Sequence, residues 1–298
     1  MSVQVIQIGR CNDKEYDFDN LFRIYHNAMT DHDVVQFDFT NCDFLRSNAV
    51  VLLGGMARVI EAQGRSVQFN WGSISDPNLL KFLRSNGFAS HFGFDSKSFY
   101  SSTMIPYRED YKSDHHSISD YLSDKWLGNN WVQISEKLKD EIIGKKWEIY
   151  ANAFEHSGSN VGVFSCGQYF PNKKDLVLSV VDFGVGIPES VRTYLRSRYS
   201  AERLSHVSDA FFMEWAFRSG TTTTIGTARG LGLDFLKRFI ALNQGKLEVY
   251  SNAGYVIVDH NGERHQNRPV SFPGTLVHIT LRCDEKLYRL SSEQQRPF

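Results

Sequence analysis

The sequence predicts two α/β units in series, and three observations carry that expectation. Apolar strand-like runs alternate with helical patterns through the first third, four short motif-like segments, three of them marked by glycine, punctuate the second half, and a polar stretch lies between them. With 298 residues and 41% hydrophobic content, the chain has room for two cores of ordinary size.

Met1 to Gly9 alternates Val and Ile with Gln and reads as a first strand. It lacks the basic start, long apolar run and small-residue cleavage site of a secretory leader. Val34-Val-Gln-Phe-Asp-Phe39 has the density of a buried strand, Ala49 to Ala62 repeats apolar residues at helical spacing, and Ser66-Val-Gln-Phe-Asn-Trp71 returns as a strand. Gly64 marks the stop between the last two. Asn78 to Gly87 reads as a helix with leucines and Phe82 on one side and a glycine cap, followed by Phe88 to Phe94. This βαβα order predicts a sheet flanked by helices over residues 1–100. Ser101-Ser102, Pro106 and the Ser-Asp-His-His run at 113–116 make 101–125 the linker, and a polar helix from about 119 to 156 leads into the second unit, 126–298.

Composition excludes several classes. A net charge of −1 and a pI near 6.8 give no basic surplus for a sequence-independent grip on nucleic acid or an anionic membrane. No run approaches the roughly 20 apolar residues of a membrane span, so a soluble cytoplasmic protein is expected. Cys11, Cys42, Cys166 and Cys283 are scattered without a C-x-x-C pair, which argues for buried thiols over a zinc cluster or a disulfide framework.

Four segments of the second half carry the chemistry. Glu148-Ile-Tyr-Ala-Asn152 sets a carboxylate and an amide one helical turn apart on one face, and an amide oxygen suits magnesium, which takes few ligands from protein. Asp182-Phe-Gly184-Val-Gly186 follows the aliphatic strand Leu176 to Val181; a carboxylate there can accept from an exocyclic amine, and the glycines admit a close backbone approach. Arg229-Gly230-Leu-Gly232-Leu opens a helix running through Ile240, whose first N–H groups suit phosphate. Gly274-Thr275 starts a strand that ends at Leu281, beside another at Gly245 to Tyr250. Between them, Tyr255 to Glu263 reads as an added hairpin with an Asn-Gly turn, and Asp259, His260 and Glu263 as its polar tip.

In this order the segments resemble the N, G1, G2 and G3 boxes of the GHKL, or histidine kinase-like, ATPase family. The string Glu-x-x-x-Asn-Ala-x-Glu-His is closest to the anti-sigma-factor serine kinases. The resemblance implies an α/β sandwich, a mixed sheet covered on one face by helices. It implies ATP and Mg²⁺ as ligands, with Glu148 as catalytic base and Asn152 as metal ligand. Asp182, Gly184 and Gly186 would form the adenine site, and Arg229, Gly230, Gly232 and Thr275 the phosphate and closing elements. Residues 189–228, rich in Arg and ending in Ser219-Gly-Thr-Thr-Thr-Thr224, match the position of the mobile lid over the nucleotide.

In the first unit, "FDFTNCDFLRSNAVVLLG" resembles the core of a STAS domain, the fold of anti-sigma-factor antagonists. Asn48 stands at the position of that family's phosphorylated Ser and Arg46 replaces its Asp. A carboxamide takes no phosphoryl group, leaving Ser47 as the substitute, and Asn48 is expected to cap the helix. His115 and His116 are expected in an exposed loop, with too few residues before Glu148 for a phospho-accepting helical hairpin. Three functions remain open: an ATPase switch, a kinase acting in trans on Ser or His of a partner protein, and a module that binds ATP without turnover. Homodimerisation is also open.

Overall fold

The structure, a computed structural model, describes residues 1–94, 101–155, 157–218 and 231–293, with the backbone alone at 146–148, 231 and 232. The first half begins with β1 (Val3–Gln7), α1 (Glu15–Ala28), β2 (Val34–Asp38), α2 (Ser47–Ala62) and β3 (Ser66–Asn70). The three strands pair in parallel in the order β1-β2-β3. Crossovers of one hand that step the same way across a sheet leave their helices on the same face, so α1 and α2 share one side. α2 ends at Gly64, whose φ of 77° suits the left-handed cap. Asp76 then caps α3 (Pro77–Ser85) by accepting the Asn78 N–H at 2.7 Å, and the short α4 (Phe88–His91) follows.

A second sheet is built from β4 (Met104–Asp110), β5 (Val163–Phe170), β6 (Asp175–Asp182), β7 (Lys246–Asp259) and β8 (Gly262–Arg282), in the order β4-β5-β6-β8-β7. Between β4 and β5 lie α5 (His115–Asp120), a π-helical turn (Tyr121–Trp126) and α6 (Glu136–Glu155). Three short helices, α7 (Ile187–Leu195), α8 (Ala201–Ser205) and α9 (Asp209–Phe217), follow β6, and α10 (Leu231–Leu242) precedes β7.

Side chains along the second sheet alternate between two different cores. Leu178 and Val180 of β6, Val277 and Ile279 of β8 and Val249 of β7 pack with Ile142 and Tyr150 of α6 and Ile240 of α10. The intervening residues, Val181, Leu276 and Tyr250, face α1 and α2 together with Phe164 of β5. Phe18 of α1 stacks on Tyr250 at 4.5 Å between centroids, and Phe22 stacks on Phe272 at 4.8 Å. On that face His278 shares a 2.8 Å hydrogen bond with Ser179, and burial holds its imidazole down to about 3. Arg268, on the long arm of β8, reaches both Glu15 and Asp19 of α1, the latter at 2.6 Å. Layers therefore run from the parallel sheet through α1 and α2 to the antiparallel sheet and then to α6 and α10.

That layering explains α2, which is buried from Ser47 through Ala57 and again at Ile60. A helix apolar on nearly all sides needs cover on two sides, and α2 has a sheet on each.

Several expectations are corrected here. The second sheet is antiparallel in every pairing rather than mixed, and helices cover both of its faces rather than one, because α1 and α2 occupy the second. Residues 101–125 are not a linker: Met104–Asp110 is an edge strand, where Pro106 is tolerated beside a register shift between Ile105 and Arg108. The helix expected from 119 to 156 is broken after Trp126, where Gly128, Asn129 and Asn130 intervene and Asn130 takes a φ of 54°. α1 and β5 were not foreseen. Asn48 does not cap α2; Arg46 holds that position without a side-chain cap, while Asn48 Nδ2 lies inside the helix and donates to the Asn12 carbonyl at 2.8 Å. His115 and His116 are exposed, yet they form the first turn of α5, and His116 faces Asp120 at 3.5 Å.

All four cysteines are buried and free. Among the described residues no helix is long and apolar enough to cross a membrane.

Removing residues 1–125 would uncover Phe164, Phe272 and Leu276, roughly 1.5–3 kcal/mol each against a whole-protein stability of ~5–15 kcal/mol. The fragment 126–298 is therefore expected to aggregate, and the full chain to unfold in one calorimetric transition. Two separated transitions, with a soluble folded fragment, would contradict the shared core.

Candidate functional site

The register of three strands assembles the site. Asp182, the last residue of β6, sits opposite Thr275 of β8, and Thr275 sits opposite Ser251 of β7. By strand alternation these three share the face of Val180, Val277 and Val249, the side covered by α6 and α10. Ser251 is the hub. Its hydroxyl accepts the Ile187 N–H at 2.8 Å, donates to the Gly274 carbonyl at 2.8 Å and lies 3.0 Å from the Thr275 hydroxyl. With the single Ser251 proton committed to Gly274, Thr275 must be the donor in the third contact. Half-buried Thr275 thus keeps acceptor capacity.

Asp182 is 4% exposed. Its Oδ1 accepts the Gly184 N–H at 2.9 Å, and the Thr275 backbone N–H is a second donor to the carboxyl. Burial outweighs both donors and pushes the carboxyl up to about 7. No cation pairs with it among the described residues.

Three glycines bring the backbone close around this carboxylate. A β-carbon at Gly184 would collide with the Ser157 carbonyl, and one at Gly274 (φ 106°) with the carbonyl of Asp182. Gly186, with a φ of 84°, starts α7 and leaves room for the Asn252 side chain, which donates to the Val185 carbonyl at 3.1 Å. On the other side the Val185 N–H donates to the Ser157 carbonyl at 2.7 Å. The loop 183–186 is thereby pinned between the segment leaving α6 and the strand β7.

That same pin brings the end of α6 to the row. α6 is docked by Tyr150, whose hydroxyl meets Ser165 of β5 at 2.7 Å, and by buried Ala151 and Ala153. Asn152 is exposed, with no side-chain hydrogen bond to a described residue. Glu148 lies one helical turn earlier on α6; its side chain is outside the described residues.

The structure thus gathers Asp182, Gly184, Gly186 and Thr275, with Gly274, and ties them through Ser157 to the segment that leaves α6. Gly232 is the second residue of α10, whose first-turn N–H groups lack intrahelical acceptors. Arg229 and Gly230 lie outside the described residues, as does the 219–228 part of the expected lid. The rest of that stretch is folded: α7 and α9 pack together around Val191 and Phe212, and buried Met213 of α9 approaches Gly254 of β7. The hairpin tip behaves as a polar tip, with Asp259 paired to Arg264 at 2.7 Å and Glu263 to Lys237 of α10 at 2.9 Å. Among the described residues no three His, Cys, Asp or Glu side chains converge as a metal cage.

Ser251, Ser157 and Asn252 escaped the sequence reading. Alternation along Lys246 to Ser251 puts Ser251 on the Val249 face, a usable signal; the other two act through one backbone carbonyl and one amide, which leave no pattern. Comparison with protein-family models and with curated protein sequences found no match.

The raised Asp182 value has a sign. Its folded value lies above the ordinary 3.8, so the native state retains a proton that the unfolded chain has released between about pH 4 and pH 7. This group lowers stability as pH rises through that window, with the full cost reached above about pH 7. Asp182→Asn should therefore raise the melting temperature at pH 8 by several degrees and change little at pH 4, as read by calorimetry at the two values.

Proposed function

We propose that the chain binds Mg-ATP at the end of the antiparallel sheet where Asp182 and Thr275 stand, on the side that α6 and α10 cover. The observation that carries this reading is the buried Asp182 carboxylate, set opposite Thr275 among close-packed glycines with no cation paired to it among the described residues. An isolated carboxylate in such a place suits a neutral donor with a flat apolar body. Adenine presents an amine at the relevant edge where guanine presents a carbonyl oxygen, which an ionised carboxylate repels. Thr275 adds a hydroxyl beside it.

The remaining residues are proposed for the phosphate end. The exposed Asn152 amide is the protein ligand proposed for Mg²⁺, whose chemistry would be to neutralise the phosphate charge. Glu148, one turn earlier, is proposed as the base that orients or deprotonates the attacking water or hydroxyl. Gly232 at the head of α10, with Arg229 and Gly230, is proposed for the phosphates. The first half, read as STAS-like, is the proposed docking element for a partner protein, and the product is a cytoplasmic regulatory ATPase or a kinase acting in trans.

Titration calorimetry tests the reading directly. Mg-ATP is expected to bind and Mg-GTP to bind far more weakly, and Asp182→Ala should remove the preference, a loss of roughly 10- to 100-fold for a charged hydrogen bond of ~1.5–3 kcal/mol. Equal affinity for both nucleotides in the parent would sink it. Because the amine needs an ionised acceptor, ATP affinity should fall as pH drops through about 7, while Asp182→Ala should show no such limb. Asn152→Ala should abolish the Mg²⁺ dependence of ATP binding. Glu148→Ala should retain ATP and lose turnover; labelled phosphate then separates hydrolysis from transfer to a partner, and a parent without turnover is a binding module.

A further inference from the structure

α2 carries two adjacent glycines in its buried middle, Gly54 and Gly55. Glycine is a poor helix former relative to Ala, and each of the two is faced by an aromatic ring from the side of the antiparallel sheet. A β-carbon at Gly54 would strike Tyr107 of β4; one at Gly55 would strike the ring of Phe183. Phe183 follows Asp182 directly. Val181 and Phe183 face the α1 and α2 side, and Asp182 between them faces the opposite side. The Phe183 ring sits among Phe272 at 5.3 Å, Tyr25 of α1 at 5.8 Å and Phe164 at 6.0 Å.

We propose that Phe183, seated in the notch Gly55 opens in α2, is the positioning residue that sets where the Asp182 carboxyl stands, and so makes purine selection depend on the first half of the chain. The inference rests on the nucleotide reading above. Its geometry is that of a strand end held from both faces. Beyond Phe183 the chain has no slack: Gly184 lies against the Ser157 carbonyl, and Val185 donates to it at 2.7 Å. Displacing the ring therefore moves residue 182, and recognition of this kind tolerates shifts of only about 0.5 Å. The glycine in α2 is thus explained by a residue in the other half, for which the helix itself has no use.

Titrations of the full-length chain with Mg-ATP and Mg-GTP test this, because the ratio of the two affinities reports Asp182, whereas a loss of folded protein scales both alike. Gly55→Ala is expected to cut the ATP preference about tenfold, equivalent to ~1.4 kcal/mol of selectivity. Gly54→Ala, the same methyl on the same helix against Tyr107, is expected to leave the ratio unchanged. Adding Phe183→Leu to Gly55→Ala should bring back most of the preference by making room for the methyl. A folded Gly55→Ala chain with parental selectivity overturns the proposal, as does an equal loss in Gly54→Ala. Should Gly55→Ala not fold, Phe183→Leu alone decides, since it loosens the seat without inserting anything; a lowered ratio supports the proposal and an unchanged one overturns it. A parent that selects ATP through Asp182 while these variants keep that selection defeats this inference alone. A parent that binds neither nucleotide defeats the nucleotide reading and this inference with it.

Discussion

The antiparallel register that sets Asp182 opposite Thr275, and Thr275 opposite Ser251, is the constraint on which the molecule turns. Strand side chains alternate with a period of two, so this register decides at once which residues join the row of Asp182 and which enter the core behind it. A slip of one residue would turn Asp182 into the apolar layer with Phe18 and Tyr250 and put Val181 beside Ser251 and Thr275. Two different cores flank the sheet, and both would lose their side chains in the same slip. Packing on either side therefore guards the placement of the one buried carboxylate that the proposed function needs.

The second constraint is the double duty of α1 and α2. These helices complete a parallel sheet on one side and cover an antiparallel sheet on the other, so the two halves share apolar surface where separate domains would each close their own. Arg268 from the β8 arm, bonded to Glu15 and Asp19, and Ser271, whose carbonyl lies 2.6 Å from the His26 ring, extend the same contact to the outer edge of α1. The glycine pair in α2 belongs to this arrangement. In an isolated helix Gly54 and Gly55 would be weak points; between two sheets they are the places where aromatic rings from the antiparallel sheet and its loop enter.

Much of this was legible. Strands at 34–39, 66–71, 176–181 and 246–250 announce themselves by density of aliphatic and β-branched residues, and all lie in the sheets. The helices over 47–62 and 77–85 carry clear apolar repeats and recognisable stops at Gly64 and Gly87. The glycine-bounded segments around Asp182 and Thr275 were found because glycine beside a strand end is informative about backbone approach. Other parts were hidden for stated reasons. β4 carries a proline and polar residues that an edge strand tolerates, so it reads as a linker. α1 has charged residues at Glu15, Asp17 and Asp19, of which Glu15 and Asp19 meet an arginine 249 or more positions away.

Local chemistry alone determined which residues can accept an amine, hold a metal through an amide oxygen or admit close backbone, because those capacities belong to the side chain or its absence and need no partner. It also determined most strands and helices, whose periodicities are set by the backbone. Only the tertiary structure decided that the second sheet is antiparallel throughout, that its far face is covered by the first half of the chain, and that Ser251, Ser157 and Phe183 hold the Asp182 loop. Those outcomes arise from contacts between residues scores of positions apart, and a contact of that range is specified by the packing of whole layers, which no single segment encodes.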